Sequence, residues 1–193
     1  MMIETQSLMF GAAKRSLVET ASQIAFVAHT GQTRKDSGSP YVIHPYMTAL
    51  KLARHGFSET VVAAAIVHDV LEDTGVTEDQ LRELLGEEVV TIVRALTEDK
   101  SLVWEKRKEL YIESIRNAPD AVKAVSIADK IHNLESLLAA HAVQGPAVWK
   151  LFNRGRESKA WFEHTLLSAV QATWSHPLLD EYAQLVERMD GLE

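Results

Sequence analysis

The chain of 193 residues contains no cysteine. Disulfides, thiolate zinc sites and cysteine nucleophiles are therefore excluded, and a reducing cytoplasm is the expected compartment. Glycine and proline are scarce: nine and five residues, about 7% together against a usual share of roughly 12%. So few breakers, with many Ala, Leu and Glu, favour long helices over short strands. No apolar run approaches the roughly 18 residues that a span requires, so no membrane association is expected. Met1 to Phe10 carries Glu4 and no basic cluster, unlike a secretory signal. A basic excess is also missing. The net charge of −7 argues against broad nucleic-acid binding. What remains is an ordinary globular composition, long enough to bury a core without staples.

The charge is unevenly spread. Residues 1–58 are net +3, residues 59–99 net −9 and residues 100–193 net −1. The middle block suits a cation and the first block an anion, although solvated helix faces of either sign would look the same. No repeat, low-complexity stretch or linker divides the chain, so residues 1–193 are expected to form a single domain. The pattern predicts an all-α bundle of about eight or nine helices. The first runs from about Gln6 to His29, followed by a Gly/Ser/Pro loop over Gly31 to Pro40. Pro45 fits the first turn of a helix that ends at Gly56, and Ser58 caps the next helix through about Leu71. Thr77 and Gln80 form a capping-box pattern for a short helix ending at Gly86. Further helices are expected over Glu87–Leu96, Trp104–Asn117, Asp120 to about Ala140, Gly155–Trp174 and Pro177–Met189, with Gly145-Pro146 as a break.

Chemistry concentrates in Ala63-Ala64-Ala65-Ile66-Val67-His68-Asp69-Val70-Leu71-Glu72-Asp73-Thr74, where four ionisable groups interrupt an apolar run. His68 and Glu72 are four apart, as are Asp69 and Asp73, which places two adjacent stripes on one side of a continuous helix. Unpartnered burial of such groups costs several kcal/mol, and a divalent metal removes that cost by neutralising the carboxylates and using the imidazole. A lone His-Asp pair would be incidental; His-Asp-x-x-Glu-Asp inside an apolar run is not. Asp129 shares a face with Val122 and Val125. By itself it reads as half of a surface salt bridge with Lys130 or Lys123, but beside the first motif it becomes a second carboxylate ligand. His44 lies at a helix start behind an apolar triplet, where a satisfied, half-buried histidine would be ordinary. Together His44, His68, Asp69 and Asp129 make an all-N/O set suited to manganese, iron or zinc. Arg34 and Lys35, in a Gly/Ser-rich loop, offer a phosphate or base contact, or else form an exposed basic loop.

These pieces, in this order, resemble one family. His29-x-Gly-Gln-x-Arg-Lys, Ser37-Gly-x-Pro-Tyr-x-x-His-Pro, His68-Asp-x-x-Glu-Asp-Thr and Ala128-Asp-Lys-x-His-Asn are similar to the hydrolase domain of the RelA/SpoT group, a branch of the HD metal-hydrolase superfamily. Trp149 to Arg156, followed by Lys159-Ala-Trp-Phe, resembles the C-terminal part of the small alarmone hydrolases. The likeness covers about residues 8–190 and departs from the pattern at no metal or catalytic position. It implies an HD fold, one bound manganese ion, and removal of the 3′-pyrophosphate from ppGpp and pppGpp by a stand-alone cytoplasmic hydrolase. Carried over by position, His44, His68, Asp69 and Asp129 would bind the metal. Glu72 and Asp73 would handle water and proton transfers. Arg34, Lys35, Ser37 and Asn133 would line the nucleotide pocket, with Ser136 one turn beyond.

A metal ion lowers the pKa of a bound water, and a positioned carboxyl can protonate a leaving ribose oxygen. Which of Glu72 and Asp73 is acid and which is base is open in the sequence. Three rivals stand beside this reading. The same site could serve adenosine alarmones or NADPH, it could bind nucleotide without turnover, or the chain could be a helical scaffold. The intact Glu72-Asp73 pair argues against the sensor, and the ionisable groups within residues 63–74 argue against the scaffold. The implied partner is a small nucleotide substrate, and homodimerisation is left open.

Overall fold

A computed structural model describes residues 16–193, so the expected helix before Ser16 lies outside the described residues. Among the described residues the fold is all-α and has no strand beyond an isolated bridge between Thr33 and Pro40. In order come α1 (Leu17–Ala28), α2 (Ile43–Arg54), α3 (Glu59–Ile66), α4 (Val70–Asp73), α5 (Glu78–Leu85) and α6 (Glu87–Leu96). Then follow α7 (Trp104–Asn117), α8 (Asp120–Gln144), a 3₁₀ segment (Gly145–Leu151), α9 (Gly155–Gln171) and α10 (Pro177–Asp190). Nine of these are helices of eight residues or more, and α4 is a single turn. No helix among the described residues is long and apolar enough to cross a membrane.

The helix ends follow the local chemistry. The Ser58 hydroxyl accepts from the Val61 amide at the start of α3. Thr77 and Gln80 close the reciprocal capping box on α5. Gly56, at φ +77°, takes the left-handed turn after α2 that a side chain would resist. α8 runs past its expected end near Ala140 to Gln144, where Gly145 caps it, and a 3₁₀ segment with Pro146 in its first turn follows instead of an irregular break.

One difference matters for the site. The helix expected from Ser58 to about Leu71 is broken over Val67–Asp69, between α3 and α4. The His68 ring hydrogen-bonds back to the Ala65 carbonyl at 2.7 Å, and the Val70 amide donates to Val67, closing a turn. Successive residues on a continuous α-helix diverge by about 100°. The turn lets His68 and Asp69 face the same centre, so the two-stripe picture of a single helix is corrected.

The core is built around α3 and α8. Val61 to Ile66 are all buried, and α3 packs against α1, α2, α6 and α8. The long α8 also packs against α2, α6, α7, α10 and the 3₁₀ segment. Its first half is buried as far as Asp129, which carries that residue from the apolar interior to the end of α3.

Candidate active site

Four polar side chains from three places in the chain converge at the end of α3. His44 comes from the first turn of α2, His68 and Asp69 from the turn after α3, and Asp129 from the middle of α8. His44, His68 and Asp129 each offer one ligand atom, all within 4.8 Å of one another, and all three residues are buried. His44 Nε2 is 2.9 Å from Asp129 Oδ1 and 3.7 Å from Asp69 Oδ2. His68 Nε2 is 3.2 Å from Asp69 Oδ2 and 3.7 Å from Asp129 Oδ1. The four metal candidates are thus brought together, with Asp69 the most exposed of the set.

The donor set fits a divalent cation. His68 Nδ1–H donates to the Ala65 carbonyl, which leaves Nε2 as the free donor atom facing the cluster. That buried Nε2 has no hydrogen-bond partner. Burial disfavours an imidazolium there, yet the Asp69 and Asp129 carboxylates raise the His68 pKa to about 9. Burial likewise opposes the charge of Asp129, but Lys130, His44 and His68 hold its carboxyl well below the usual range. The centre therefore calls for positive charge among oxygen and nitrogen donors.

Each candidate ligand is held from behind. His44 Nδ1 lies 2.7 Å from His132 Nδ1. Burial and the neighbouring His44 and Arg34 lower the His132 pKa to about 4, which leaves that ring neutral and able to accept. The His132 contact holds the His44 ring so that Nε2 faces the cluster. Tyr41 donates to Asp69 Oδ2 at 2.6 Å and lies 3.4 Å from Asp73 Oδ2. Asn133 donates to Asp129 Oδ1 at 2.6 Å, and Lys130 donates to Oδ2 at 2.7 Å. The salt bridge weighed as the ordinary account of Asp129 exists alongside its place in the cluster.

Glu72 and Asp73 line the same cavity of about 190 Å³ as His44, His68, Asp69 and Asp129. Their environments differ. Burial raises the Glu72 pKa despite an amide hydrogen bond from Glu98 at 3.2 Å and the nearby Lys100. Asp73 instead receives the Lys100 ammonium and lies near the Tyr41 hydroxyl.

An adjoining cavity of about 390 Å³ shares Tyr41, Asp73 and Asn133 with the first, and it is lined by Arg34 and Lys35 with an apolar wall of Leu137, Val148 and Leu151. Arg34 donates to Asn133 Oδ1 and to Asp36, both at 3.1 Å, linking the loop to the Asp129 partner. The His29-x-Gly-Gln sequence anchors this loop. His29 contacts Gln32 at 2.8 Å, and Gln32 donates to the Asp73 carbonyl at 3.0 Å. Ser37 and Ser136 are placed elsewhere. They line a separate cavity beyond Asp36 with Ala139 and Gln144.

Sequence reasoning placed Tyr41 and His132 within motifs but gave them no role, and it did not single out Glu98 or Lys100. Tyr41 and His132 each lie three residues from a candidate ligand, a spacing that could have marked them. Glu98 and Lys100 arrive on the loop after α6 with no local signal.

Residues 21–154 match the HD domain family. The human guanosine-3′,5′-bis(diphosphate) 3′-pyrophosphohydrolase MESH1 is 37% identical over 130 residues, covering 66% of this chain and 72% of that protein. A Haemophilus influenzae enzyme of the same description is 38% identical over 120 residues, 59% of this chain but 18% of its own length. Among solved structures, a Listeria monocytogenes EGD-e protein superposes with a TM-score of 0.71 at 37% identity, covering 76% of this chain and 97% of that one. A metazoan orthologue of SpoT, described as hydrolysing ppGpp with a role in starvation responses, gives 0.78 at 28% identity, covering 95% and 100%.

Proposed function

Since the chain belongs to the HD-domain family and aligns with most of the length of its MESH1-type members, we propose that it is a (p)ppGpp 3′-pyrophosphohydrolase with one manganese ion per chain. The observation that carries this reading is the unpartnered His68 Nε2 facing Asp69 and Asp129 in a cavity that also holds Glu72 and Asp73. His44, His68, Asp69 and Asp129 hold the metal. When bound, it supplies Lewis-acid charge for a water and for the phosphoryl oxygens.

The remaining steps fall to side chains. Water attacks the phosphorus attached to the ribose O3′; a P–O bond to water forms and the P–O3′ bond breaks, giving pyrophosphate and GDP or GTP. Asp73, beside the Lys100 ammonium, takes the proton of the attacking water. Glu72, whose pKa burial raises, holds the proton that the leaving O3′ receives. The nucleoside lies in the cavity under Arg34 and Lys35, with Asn133 between it and the metal ligands. Ser37 joins this set only if the loop turns toward the shared cavity on binding. The enzyme then acts in the cytoplasm, in a starvation-type response.

Incubation with ppGpp, ppApp and NADPH, with and without manganese, followed by ion-exchange chromatography, tests the reading. Pyrophosphate and GDP from ppGpp in one step are expected. Orthophosphate appearing before GDP, or full turnover by metal-free protein, would overturn it.

A further inference from the structure

Two residues of the His29-x-Gly-Gln motif have no part in the steps above, yet one of them is a buried histidine. His29 is 3% exposed, and its ring lies against Tyr41, with centroids 4.9 Å apart. Gln32 and Tyr41 form the root of a short hairpin. The Tyr41 amide donates to the Gln32 carbonyl, Thr33 bridges to Pro40, and the Arg34 amide donates to the Ser39 carbonyl. The outer part of this hairpin lines the nucleoside cavity with Arg34 and Lys35. Its root faces the chemistry. Tyr41 donates to Asp69, and the Gln32 side chain donates to the Asp73 carbonyl at 3.0 Å.

The single turn α4 needs such support. A lone turn holds itself poorly, because nucleation fixes several residues for one hydrogen bond. The last carbonyls of a helix also have no helical amide to bond them. Here side chains take that place. The Thr74 hydroxyl donates to the Val70 carbonyl at 2.7 Å, the Lys100 ammonium to the Glu72 carbonyl at 3.0 Å, and the Gln32 amide to the Asp73 carbonyl. Lys100 is half exposed, whereas Gln32 is itself held from behind. A carbonyl can only accept, so the Gln32 amide turns its nitrogen to Asp73 and its oxygen to His29. His29 Nδ1 therefore carries the hydrogen and donates to Gln32 Oε1 at 2.8 Å. We infer that Gln32, oriented by His29, is a positioning residue that fixes the backbone of Asp73 and so aims the Glu72–Asp73 pair at the reacting phosphorus. The inference rests on the hydrolase reading above. The same hairpin then serves binding at its outer part and turnover at its root.

Gln32→Met keeps the volume and removes both hydrogen bonds. On whichever of ppGpp, ppApp and NADPH the wild type cuts fastest, kcat should fall about 10–100-fold with KM little changed, as misplacement of a catalytic group predicts. Metal content by elemental analysis should hold. His29→Leu should lower kcat in the same way. His29→Asn, whose amide nitrogen can donate from nearly the same place, should recover most of that loss. The double variant Gln32→Met with His29→Leu should lose no more than Gln32→Met alone, because one residue acts through the other. Full kcat in Gln32→Met, with KM raised or not, would overturn the inference, and so would losses that multiply in the double variant. Gln32 is only half-buried, so Gln32→Met decides the matter even if His29→Leu fails to fold. If the wild type cuts none of the three nucleotides, the reading of the reaction fails, and amide hydrogen exchange still tests the positioning. The Asp73 amide, which donates to the Asp69 carbonyl at 2.9 Å, should exchange about tenfold faster in Gln32→Met while the α8 amides keep their rates. An unchanged rate at Asp73 would overturn it.

Discussion

Two dense clusters of charge stand in this chain, one on the surface of α5 and α6 and one at the end of α3. In the first, Arg82 pairs with Glu78, Asp79 and Glu87, and Arg94 with Glu78 and Glu87, none of them buried. In the second, His44, His68, Asp69 and Asp129 crowd together with most of their surface withdrawn from water. Both show contacts of 3 Å or less. On the surface, water would solvate each partner nearly as well as the other partner does, so such pairs contribute little. In the interior, a charge whose partner is removed has no water to fall back on. The clusters also differ in completeness. The surface anions and cations satisfy one another, whereas the buried set turns two carboxylates and an unpartnered imidazole nitrogen toward a common centre. Unmet demand, not the number of ion pairs, separates a site from a decorated surface.

The largest effect should come from Asp129→Asn. It removes a ligand charge with almost no change in shape, so metal content measured by elemental analysis should fall to near zero and turnover to background, while circular dichroism stays helical. Next, Glu72→Gln and Asp73→Asn should keep the metal and lose on the order of 10²–10⁴ in kcat, the usual cost of a positioned acid or base. Near-wild-type rates with metal bound would make both residues structural. His132→Ala should weaken metal affinity about 10–100-fold in a calorimetric titration, as loss of a group that orients a ligand does elsewhere. Arg34→Ala should raise KM about tenfold and lower kcat less; a collapsed kcat at unchanged KM would place Arg34 at the transition state. Smallest of all, Arg82→Ala should leave activity and the melting temperature within experimental error. A marked loss there would erase the contrast between the clusters.

Much of this was legible in the chain itself. The capping residues Ser58 and Thr77 and the stops at Gly56, Gly86 and Gly145 all act within a few residues, so their signals are local. The four metal candidates were legible because ionisable groups inside apolar runs need a reason to be there. The break between α3 and α4 was not, because Val67 carries no turn signal and the His68 ring supplies the hydrogen bond that ends the helix. The net −9 of residues 59–99 merged the two clusters, since composition cannot tell that Glu78, Asp79 and Glu87 meet arginines while Asp69 and Glu72 turn inward. Lys100 reaches Asp73 from 27 residues away, a pairing set by the path of α5 and α6 alone.

The run Ala63-Ala64-Ala65 is wholly buried with helices on several sides of it. Over evolutionary time this makes α3 a narrow gate. A larger side chain at a fully buried position between packed helices overpacks it, which typically costs about 1–3 kcal/mol. The three alanines never meet a substrate, yet they should drift as slowly as the residues that do. A mutational map would show a silent, intolerant stretch leading up to His68, and an observer without coordinates would assign to chemistry what belongs to volume.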